Sequence, residues 1–167
     1  MDLEERSPMI NARSKHCMTA FNGDCLIVTG GVKKKHATKS CEIYNVRENA
    51  WQEVAPMSEG RTSHAALEIK EGLLYVFCGY GKGKKYLDSI ERFTKSTNKW
   101  DIIITNVKIP GRQYPTVVSI DDGNTVLILG GYDGTNSLGD LFTLDINHDK
   151  INMVFEIGKK QFKGYSK

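Results

Sequence analysis

The chain has 167 residues, of which 40% are hydrophobic and 26% charged, a composition typical of a folded globular protein and not of a disordered one. Its net charge of +3 is too small to predict nucleic-acid binding by itself. The longest apolar run, residues 73–78, is far shorter than the roughly 20 residues that cross a bilayer, and the charged first residues carry no secretory signal. We therefore expect a cytoplasmic protein without a membrane span.

The elements begin with a strand predicted over residues 16–21, in which apolar and small side chains alternate with a period of two. A turn at Asn22-Gly23-Asp24 separates it from a nearly continuous apolar run that ends at Gly30-Gly31, as expected for a strand buried on both faces. A third strand at residues 40–44 and a short outer strand at Trp51 complete the unit. Signals for helices are absent throughout.

The same order of elements occurs twice more along the chain. In the second unit the strands fall at residues 64–69, 74–79 and 89–93 and at Trp100. In the third unit they fall at residues 115–120, 126–131 and 140–144 and at Ile151. A period of about 50 residues with four short strands per unit predicts the blades of a β-propeller.

Particular residues give these units a family resemblance. A glycine pair ends the apolar strand, an aromatic residue precedes Trp51 and Trp100 by seven positions, and the third unit contains the run 130–134, Gly-Gly-Tyr-Asp-Gly. These features resemble kelch repeats over residues 8 to about 155. The predicted fold class is therefore all-β, a partial kelch-type β-propeller of three four-stranded antiparallel blades. Cys78 departs from the pattern, and so do Leu144 and Ile151, which replace both aromatics of the third unit and predict weaker packing there.

The repeats divide the chain into segments. Blade one is expected at residues 8–55, blade two at 56–107 and blade three at 108–157. Residues 1–7 align with the outer strand of a preceding blade, and residues 158–167 are either a basic tail or the start of a fourth blade. Because propellers close with about four to eight blades, three are too few. The chain is then a piece of a longer propeller, associates with a copy of itself, or is completed by another subunit.

Basic residues are concentrated at one end of the predicted blades. The loop after the second strand contains three lysines in each of the first two blades, whereas the third blade has none there: Lys33, Lys34, Lys35, Lys82, Lys84 and Lys85. Arg13, Arg61 and Arg112 stand just before the first strand of each blade. In an antiparallel blade these two positions lie at the same end, so we expect one basic face.

The resemblance gives this face an expected function. In kelch propellers that recruit substrates for ubiquitin ligases it binds partner peptides, and arginines before the first strand commonly hold acidic side chains. The planar fork of Arg suits carboxylates and phosphates. We therefore expect a non-enzymatic protein–protein interaction module with an acidic or phosphorylated protein partner. The alternative is that the lysines are only solvated and that the arginines pair within the blade.

Other functions find less support in the sequence. His16 and His64 occupy equivalent repeat positions and are expected to belong to the repeat framework, and no catalytic triad, metal-binding spacing or cofactor motif occurs. We predict no catalytic residues, no metal and no cofactor. Nucleic acid is disfavoured because only Tyr80 and Tyr86 accompany the lysines. Two further alternatives remain: a structural subunit of a cytoskeletal or other large assembly, and a fragment of a ubiquitin-ligase substrate adaptor.

Overall fold

The computed structural model describes residues 5–155, which form three four-stranded antiparallel sheets and one small hairpin. The first blade contains β1 (Cys17–Phe21), β2 (Cys25–Thr29), the hairpin strands β3 (Val32–Lys33) and β4 (His36–Ala37), β5 (Cys41–Asn45) and β6 (Ala50–Val54). The second contains β7 (Ala65–Lys70), β8 (Leu73–Phe77), β9 (Ile90–Thr94) and β10 (Lys99–Ile102). The third contains β11 (Thr116–Ile120), β12 (Thr125–Tyr132), β13 (Ser137–Asp145) and β14 (Lys150–Phe155).

The predicted fold class is confirmed. Each blade pairs its strands in chain order, and the innermost strands β1, β7 and β11 lie next to one another. The described residues contain no α-helix, and none of their helical segments is long and apolar enough to cross a membrane. The structure has a fourth, two-stranded sheet that was not predicted, because the first lysine loop is itself a hairpin formed by β3 and β4.

Alternation along the second strand of each blade forms the core. In β8, Leu74 and Val76 pack against the first blade, whereas Tyr75 and Phe77 pack against the third. These four side chains are at most 1% exposed. A strand buried on both faces needs apolar residues at every position, which accounts for the continuous apolar run in the sequence. Burying each such side chain stabilises the fold by about 1.5–3 kcal/mol.

Cross-strand pairing explains the spacing of seven residues. The third and fourth strands of a blade place Tyr44 opposite Trp51 and Phe93 opposite Trp100, with ring centroids 5.0 and 5.2 Å apart. The indole N–H of Trp100 also donates to the carbonyl of Ala55, at 2.8 Å. The repeat motif therefore records a cross-strand aromatic pair, worth about 0.5–1.5 kcal/mol beyond its buried area.

The glycine pairs lie where one blade contacts the next. Gly30 and Gly31 have φ angles of 58° and 97°, and the N–H of Gly31 donates to the carbonyl of Arg61 at 2.8 Å. A Cβ on Gly30 would lie 2.8 Å from Cε1 of His64 in the second blade. At position 30 glycine is therefore favoured by the left-handed backbone and required by the close approach of the second blade. Cys78, at the position of Gly30, adopts a φ of 58° although it has a side chain.

The third blade differs on the side away from the second. Strand β12 does not end at its glycine pair but continues to Tyr132, after a register shift between Leu129 and Gly131. A Cβ on Gly130 would meet only Leu138 O of its own blade, at 3.1 Å. On the same side Val118, Ile120 and Leu129 are 41–49% exposed. Among the described residues, no further blade covers this face.

Two predicted segments lie mainly outside the described residues. The tail at residues 158–167 is not described, and neither are residues 1–4 of the predicted outer strand. Its described part, residues 5–7, pairs with no described strand. Ser7 nevertheless accepts a hydrogen bond from the Trp51 indole at 2.8 Å, much as Ala55 does from Trp100, so this segment occupies the equivalent place beside the first blade.

Candidate functional site

The loop after the second strand and the residue before the first strand lie at one end of each blade, as predicted. Isolated β-bridges join them directly: Ser14 with Val32, Thr62 with Tyr80, and Gln113 with Tyr132. Arg13, Arg61 and Arg112 precede these bridges by one residue. The predicted arginines and lysines therefore lie at the same end of the molecule, but the arginine side chains are buried within the blades whereas most of the lysines are exposed.

The Arg61 side chain is completely buried inside its own blade. Its guanidinium donates to the carbonyls of Cys78 and Ser89 at 2.7 and 3.3 Å and to the Ser89 hydroxyl at 3.1 Å. It also forms an ion pair with Glu91. The second oxygen of that carboxylate accepts the backbone N–H of Ser58 at 2.7 Å. The pair thus fastens the segment between blades to the third strand.

Arg13 and Arg112 repeat this arrangement. Arg13 donates to the carbonyls of Gly30 and Ser40 at 2.9 and 2.7 Å and pairs with Glu42, both side chains having no exposed surface. Arg112 donates to Gly130 at 2.9 Å and binds both oxygens of Asp140. The carbonyls of Gly30, Cys78 and Gly130 belong to the left-handed residues of the blade seams, so this conformation directs an acceptor to each arginine.

This burial bears on the expected role of the arginines. Their terminal guanidinium nitrogens donate to carbonyls and to a carboxylate of the same blade, whereas Nε of Arg61 has no partner among the described residues. None of the three side chains has exposed surface with which a partner could make contact. Partner contact by Arg13, Arg61 and Arg112 stays a prediction, and the geometry argues for the structural alternative. The sequence held a signal for the pairing, because Glu42 and Glu91 both stand two residues before the aromatic of their repeat.

The first lysine loop is the turn of the β3–β4 hairpin. Lys33 pairs with His36, leaving Lys34 and Lys35 as the two turn residues, with φ angles of 48° and 67°. Two-residue turns with both φ angles positive normally contain Asn-Gly. A left-handed residue with a side chain costs about 1–2 kcal/mol. The chain thus places two exposed lysines where glycine and asparagine are preferred.

The second lysine loop is a short 3₁₀ turn, Lys82–Lys84. Lys82, Lys84 and Lys85 are all exposed. Lys85 approaches Glu59 to 3.5 Å, and Lys33 of the first loop donates to the side-chain oxygen of Asn11. In the described part of the chain, Lys34, Lys35, Lys82 and Lys84 have no ion-pair or hydrogen-bond partner.

The two loops meet between the first and second blades. There they line two cavities of about 560 and 580 Å³, which share His36, Ala37 and Lys82. The larger cavity, here called the basic groove, is lined among others by four lysines, a histidine and a tyrosine: Lys15, Lys35, His36, Tyr80, Lys82 and Lys84. No described carboxylate lines it, whereas Glu59 lines the smaller cavity. The groove can therefore accept negative charge without displacing an internal partner.

Three tyrosines that are distant in sequence contact one another at the same end of the molecule as the lysine loops. The ring of Tyr86 contacts Tyr80 and Tyr132 edge to face, with centroids 5.0 and 6.2 Å apart. Desolvation raises the pKa of Tyr86, as do the nearby Tyr132 and Tyr80 hydroxyls. Only Tyr80 and Tyr86 were predicted to accompany the lysines, because Tyr132 is 46 positions after Tyr86 and contacts it only through the packing of blades two and three.

The predicted framework histidines His16 and His64 stand directly before the innermost strands β1 and β7. His64 is 7% exposed, and its Nε2 lies 2.8 Å from the hydroxyl of Thr29 in the first blade. Burial lowers its pKa to about 3, with a contribution from Arg61, so it is neutral at physiological pH. His16 has a lowered pKa for the same first reason. Burial likewise raises the pKa of the Cys41 and Cys78 thiols to about 12.

Comparison with known proteins agrees with this geometry. The model of the KLHDC2/KLHL20/DRC7 Kelch-repeats domain matches residues 15–162. Kelch-like protein 23 of Mus musculus is 28% identical over 130 residues, covering 76% of this chain and 22% of the relative. A RING finger domain and kelch repeat-containing protein of Dictyostelium discoideum is 30% identical over 127 residues, covering 75% of this chain and 12% of the relative.

A further relative is an F-box/kelch-repeat protein of Arabidopsis thaliana, 30% identical over 101 residues, covering 58% of this chain and 25% of the relative. The chain thus spans a quarter or less of the length of these three proteins. Three four-stranded blades, the cross-strand aromatic pairs of the first two and a family model that matches most of the sequence lead to one assignment. The chain belongs to the kelch-repeat family.

Proposed function

We propose that this chain is a non-enzymatic protein–protein interaction module whose basic groove binds an acidic segment of a protein partner. The observation that carries the proposal is the groove between blades one and two, which is lined by four lysines and by no described carboxylate. Kelch-repeat domains are typically interaction modules, which supports the general class. The acidic character of the partner rests on the groove alone.

Ion pairs inside the blades support the assignment of this face to binding. Charges inside the blades, such as those of Arg61 and Glu91, neutralise each other. The positive charge left on this face is therefore that of the lysines, and four of those in the two loops have no partner among the described residues. Lys34 and Lys35 even occupy a backbone conformation that costs stability. Strain of this kind is retained where the surrounding structure or a function requires it.

The cellular setting of the module is a separate proposal. The names of two relatives combine kelch repeats with a RING finger or an F-box. This favours a fragment of a ubiquitin-ligase substrate adaptor over a structural subunit of a cytoskeletal or other large assembly. A cytoplasmic location fits either setting. Tagged chain recovered from cells with ligase components would support the first setting, and recovery with filament proteins only would contradict it.

Fluorescence anisotropy with a labelled peptide of alternating glutamate and glycine tests the binding itself. We expect the affinity to fall by about tenfold when ionic strength rises from about 0.05 to about 0.3 M, because exposed charges are screened within a Debye length. Reversing the charges in Lys34→Glu/Lys35→Glu should abolish binding. The matched control, Lys70→Glu/Lys99→Glu, changes two exposed lysines of the second blade outside both cavities. This variant should still bind the peptide, because the lysines of both loops are unchanged.

The outcome that contradicts the proposal is equally concrete. If the peptide binds with the same affinity at both ionic strengths and to the Lys34→Glu/Lys35→Glu variant, the lysines are only solvated. A peptide of alternating glutamine and glycine shows what remains without charge.

The uncovered face of the third blade supports a second proposal, that another blade covers it. Val118, Ile120 and Leu129 are exposed there, whereas the equivalent side of blade two is buried against blade three. The covering blade comes from further sequence of the same protein, from a second copy of this chain or from another subunit. Native mass spectrometry distinguishes a dimer from a monomer, and a monodisperse monomer with two-state unfolding would exclude obligate self-association.

A further inference from the structure

Four tyrosines line the end of blades two and three beside the basic groove. Tyr80 and Tyr132 each follow directly after the glycine of a blade seam, Tyr86 ends the second lysine loop, and Tyr114 precedes the innermost strand of blade three. We call this set the tyrosine rim. Tyr114 is 59% exposed, and its φ of 57° is shared by Lys15 and Ser63, at 53° and 52°, in the equivalent position of the other two blades.

Three of the four rings of the tyrosine rim, those of Tyr80, Tyr86 and Tyr132, pack against one another. Tyr80 contacts Tyr86 at an interplanar angle of 69°, and Tyr86 contacts Tyr132 at 73°. The Tyr86 ring lies so close to the backbone of the third-blade loop that a Cβ on Gly134 would be 2.6 Å from its Cε2. The Tyr132 hydroxyl donates to the carbonyl of Gly134 at 2.8 Å. Ordering these rings on binding therefore costs little entropy.

The tyrosine rim continues the basic groove. Tyr80 lines the groove together with Lys82 and Lys84, and its ring begins the aromatic row. The corresponding loop of the third blade has no lysine, and its Asp133 carboxylate accepts the backbone N–H groups of Thr135 and Asn136, both at 2.7 Å. The same end of the molecule is thus cationic over blades one and two and aromatic over blades two and three.

We propose that the tyrosine rim binds an aromatic side chain of the same acidic peptide that occupies the basic groove. The inference rests on the proposed function and adds the second half of the recognition element: carboxylates lie over blades one and two, and a ring lies against the tyrosines over blades two and three. A neutral ring fits better than a charged side chain of either sign, because the neighbouring lysines repel cations and the Asp133 carboxylate near Tyr86 repels anions. Aromatic contacts of this kind raise affinity by about three- to tenfold.

A single-stranded nucleic acid is the other polymer that uses cationic grooves with aromatic rings. It needs ring faces on which successive bases can stack. Here Tyr80, Tyr86 and Tyr132 contact one another edge to face and are only partly exposed. Of the four rings only that of Tyr114 is largely exposed. The geometry therefore favours a peptide that adds one ring to the row.

The experiment compares three labelled peptides of equal length by fluorescence anisotropy with the full chain. The first contains glutamates and one phenylalanine, the second has alanine in place of phenylalanine, and the third keeps phenylalanine but has glutamine in place of glutamate. We expect the first to bind about three- to tenfold more tightly than the second, and this ratio should persist at high ionic strength although both affinities fall. The third should bind weakest.

Variants locate the contact. Tyr114→Ser removes an exposed ring whose loss should leave folding intact, and it should reduce the advantage of the phenylalanine peptide to less than twofold. Tyr86→Leu should do the same, with thermal unfolding measured to confirm that it folds. The matched control is Ile104→Ala, which removes an 80% exposed apolar side chain that lines neither cavity and should keep the full ratio.

Each contrary result has its own meaning. Equal binding of the phenylalanine and alanine peptides overturns the inference about the tyrosine rim and leaves the proposal for the basic groove in place. If neither acidic peptide binds, both proposals fail. If a single-stranded oligothymidine binds more tightly than either peptide, the partner is a nucleic acid and the peptide inference is overturned.

Discussion

Nine basic residues begin at one end of the blades, and the structure divides them into two groups. Arg13, Arg61 and Arg112 turn inward, where each meets carbonyls and a carboxylate of its own blade. The six lysines stay at the surface or near it, and four of them have no partner among the described residues. Residues of equal charge at neighbouring positions therefore serve different purposes, the first the fold and the second, in our proposal, a partner.

The chemistry of the two side chains explains the division. A planar guanidinium with five donors can satisfy two carbonyls, a carboxylate and a nearby oxygen at once, as Arg61 does with Cys78, Ser89 and Glu91. A lysine is a strongly hydrated point charge on a flexible stem and is expensive to bury. Charge alone is thus a poor guide to a binding face. The number of acceptors around each position determines whether its basic side chain is buried or exposed.

The largest expected effect lies on the arginine side of the comparison. Both oxygens of Glu91 are used, one by Arg61 and one by the N–H of Ser58, and Glu91→Gln leaves only one acceptor for the two. Because an unpaired buried charge remains, we expect the free energy of unfolding to fall by about 3–5 kcal/mol. Urea denaturation measures this loss.

The matched control removes a carboxylate from a surface pair. Glu59 lies 3.5 Å from Lys85, and both side chains are partly exposed, so Glu59→Gln should cost less than about 1 kcal/mol. Equal losses in the two variants would show that the buried arginine pairs do not hold the blades together.

A smaller effect of opposite sign is expected on the lysine side. Lys34→Asn/Lys35→Gly gives the β3–β4 turn the residues that its positive φ angles favour. We expect a gain of about 1 kcal/mol in the free energy of unfolding together with weaker binding of the acidic peptide. Lys34→Gln/Lys35→Gln removes the same charges without relieving the backbone, and it should weaken binding without adding stability. Strong binding by the first variant would show that the strained lysines have no such function.

The smallest expected effect concerns pH and tests the framework role of His64. Its pKa of about 3 in the folded state lies below the ordinary 6.5, so the unfolded chain takes up a proton first as the pH falls. Stability is therefore unaffected above pH 6.5 and is lost as the pH drops below it, by about 1 kcal/mol down to pH 5.5. His64→Gln should reduce this dependence. His16, whose pKa is also lowered, contributes to both curves, and parallel curves for the two proteins would refute the assignment.

The blades could be predicted from the sequence because each blade is formed by residues close together in the chain. The glycine pairs, the strand alternation and the seven-residue spacing of Tyr44 and Trp51 report contacts within one blade or between adjacent blades. The third unit was recognised although Leu144 and Ile151 replace its aromatics, and both side chains are buried at 1% exposure or less. Its strand β12, Thr125–Tyr132, extends the predicted residues 126–131 by one residue at each end, and the register shift between Leu129 and Gly131 was not predicted.

The site was less predictable because its parts come from different blades. The lysine loops were found from their repeat positions, but Lys15 of the groove and the row from Tyr86 to Tyr132 depend on how the blades pack. The sequence did not distinguish partner contact by the arginines from pairing within the blade, because that pairing depends on the positions of Glu42, Glu91 and Asp140 in the fold. In the third blade the carboxylate even comes from a different repeat position, which alignment of the repeats does not reveal.

The central claim is that the loops of two blades form one binding groove for negative charge. The dissociation constant of the glutamate–glycine peptide for Lys82→Glu/Lys84→Glu tests it most directly, because these lysines belong to the second blade whereas Lys34 and Lys35 belong to the first. We expect binding at least about tenfold weaker than in the unaltered chain, with little change in stability. An affinity within about twofold of the unaltered chain, and equal to that of the Lys70→Glu/Lys99→Glu control, would contradict the claim.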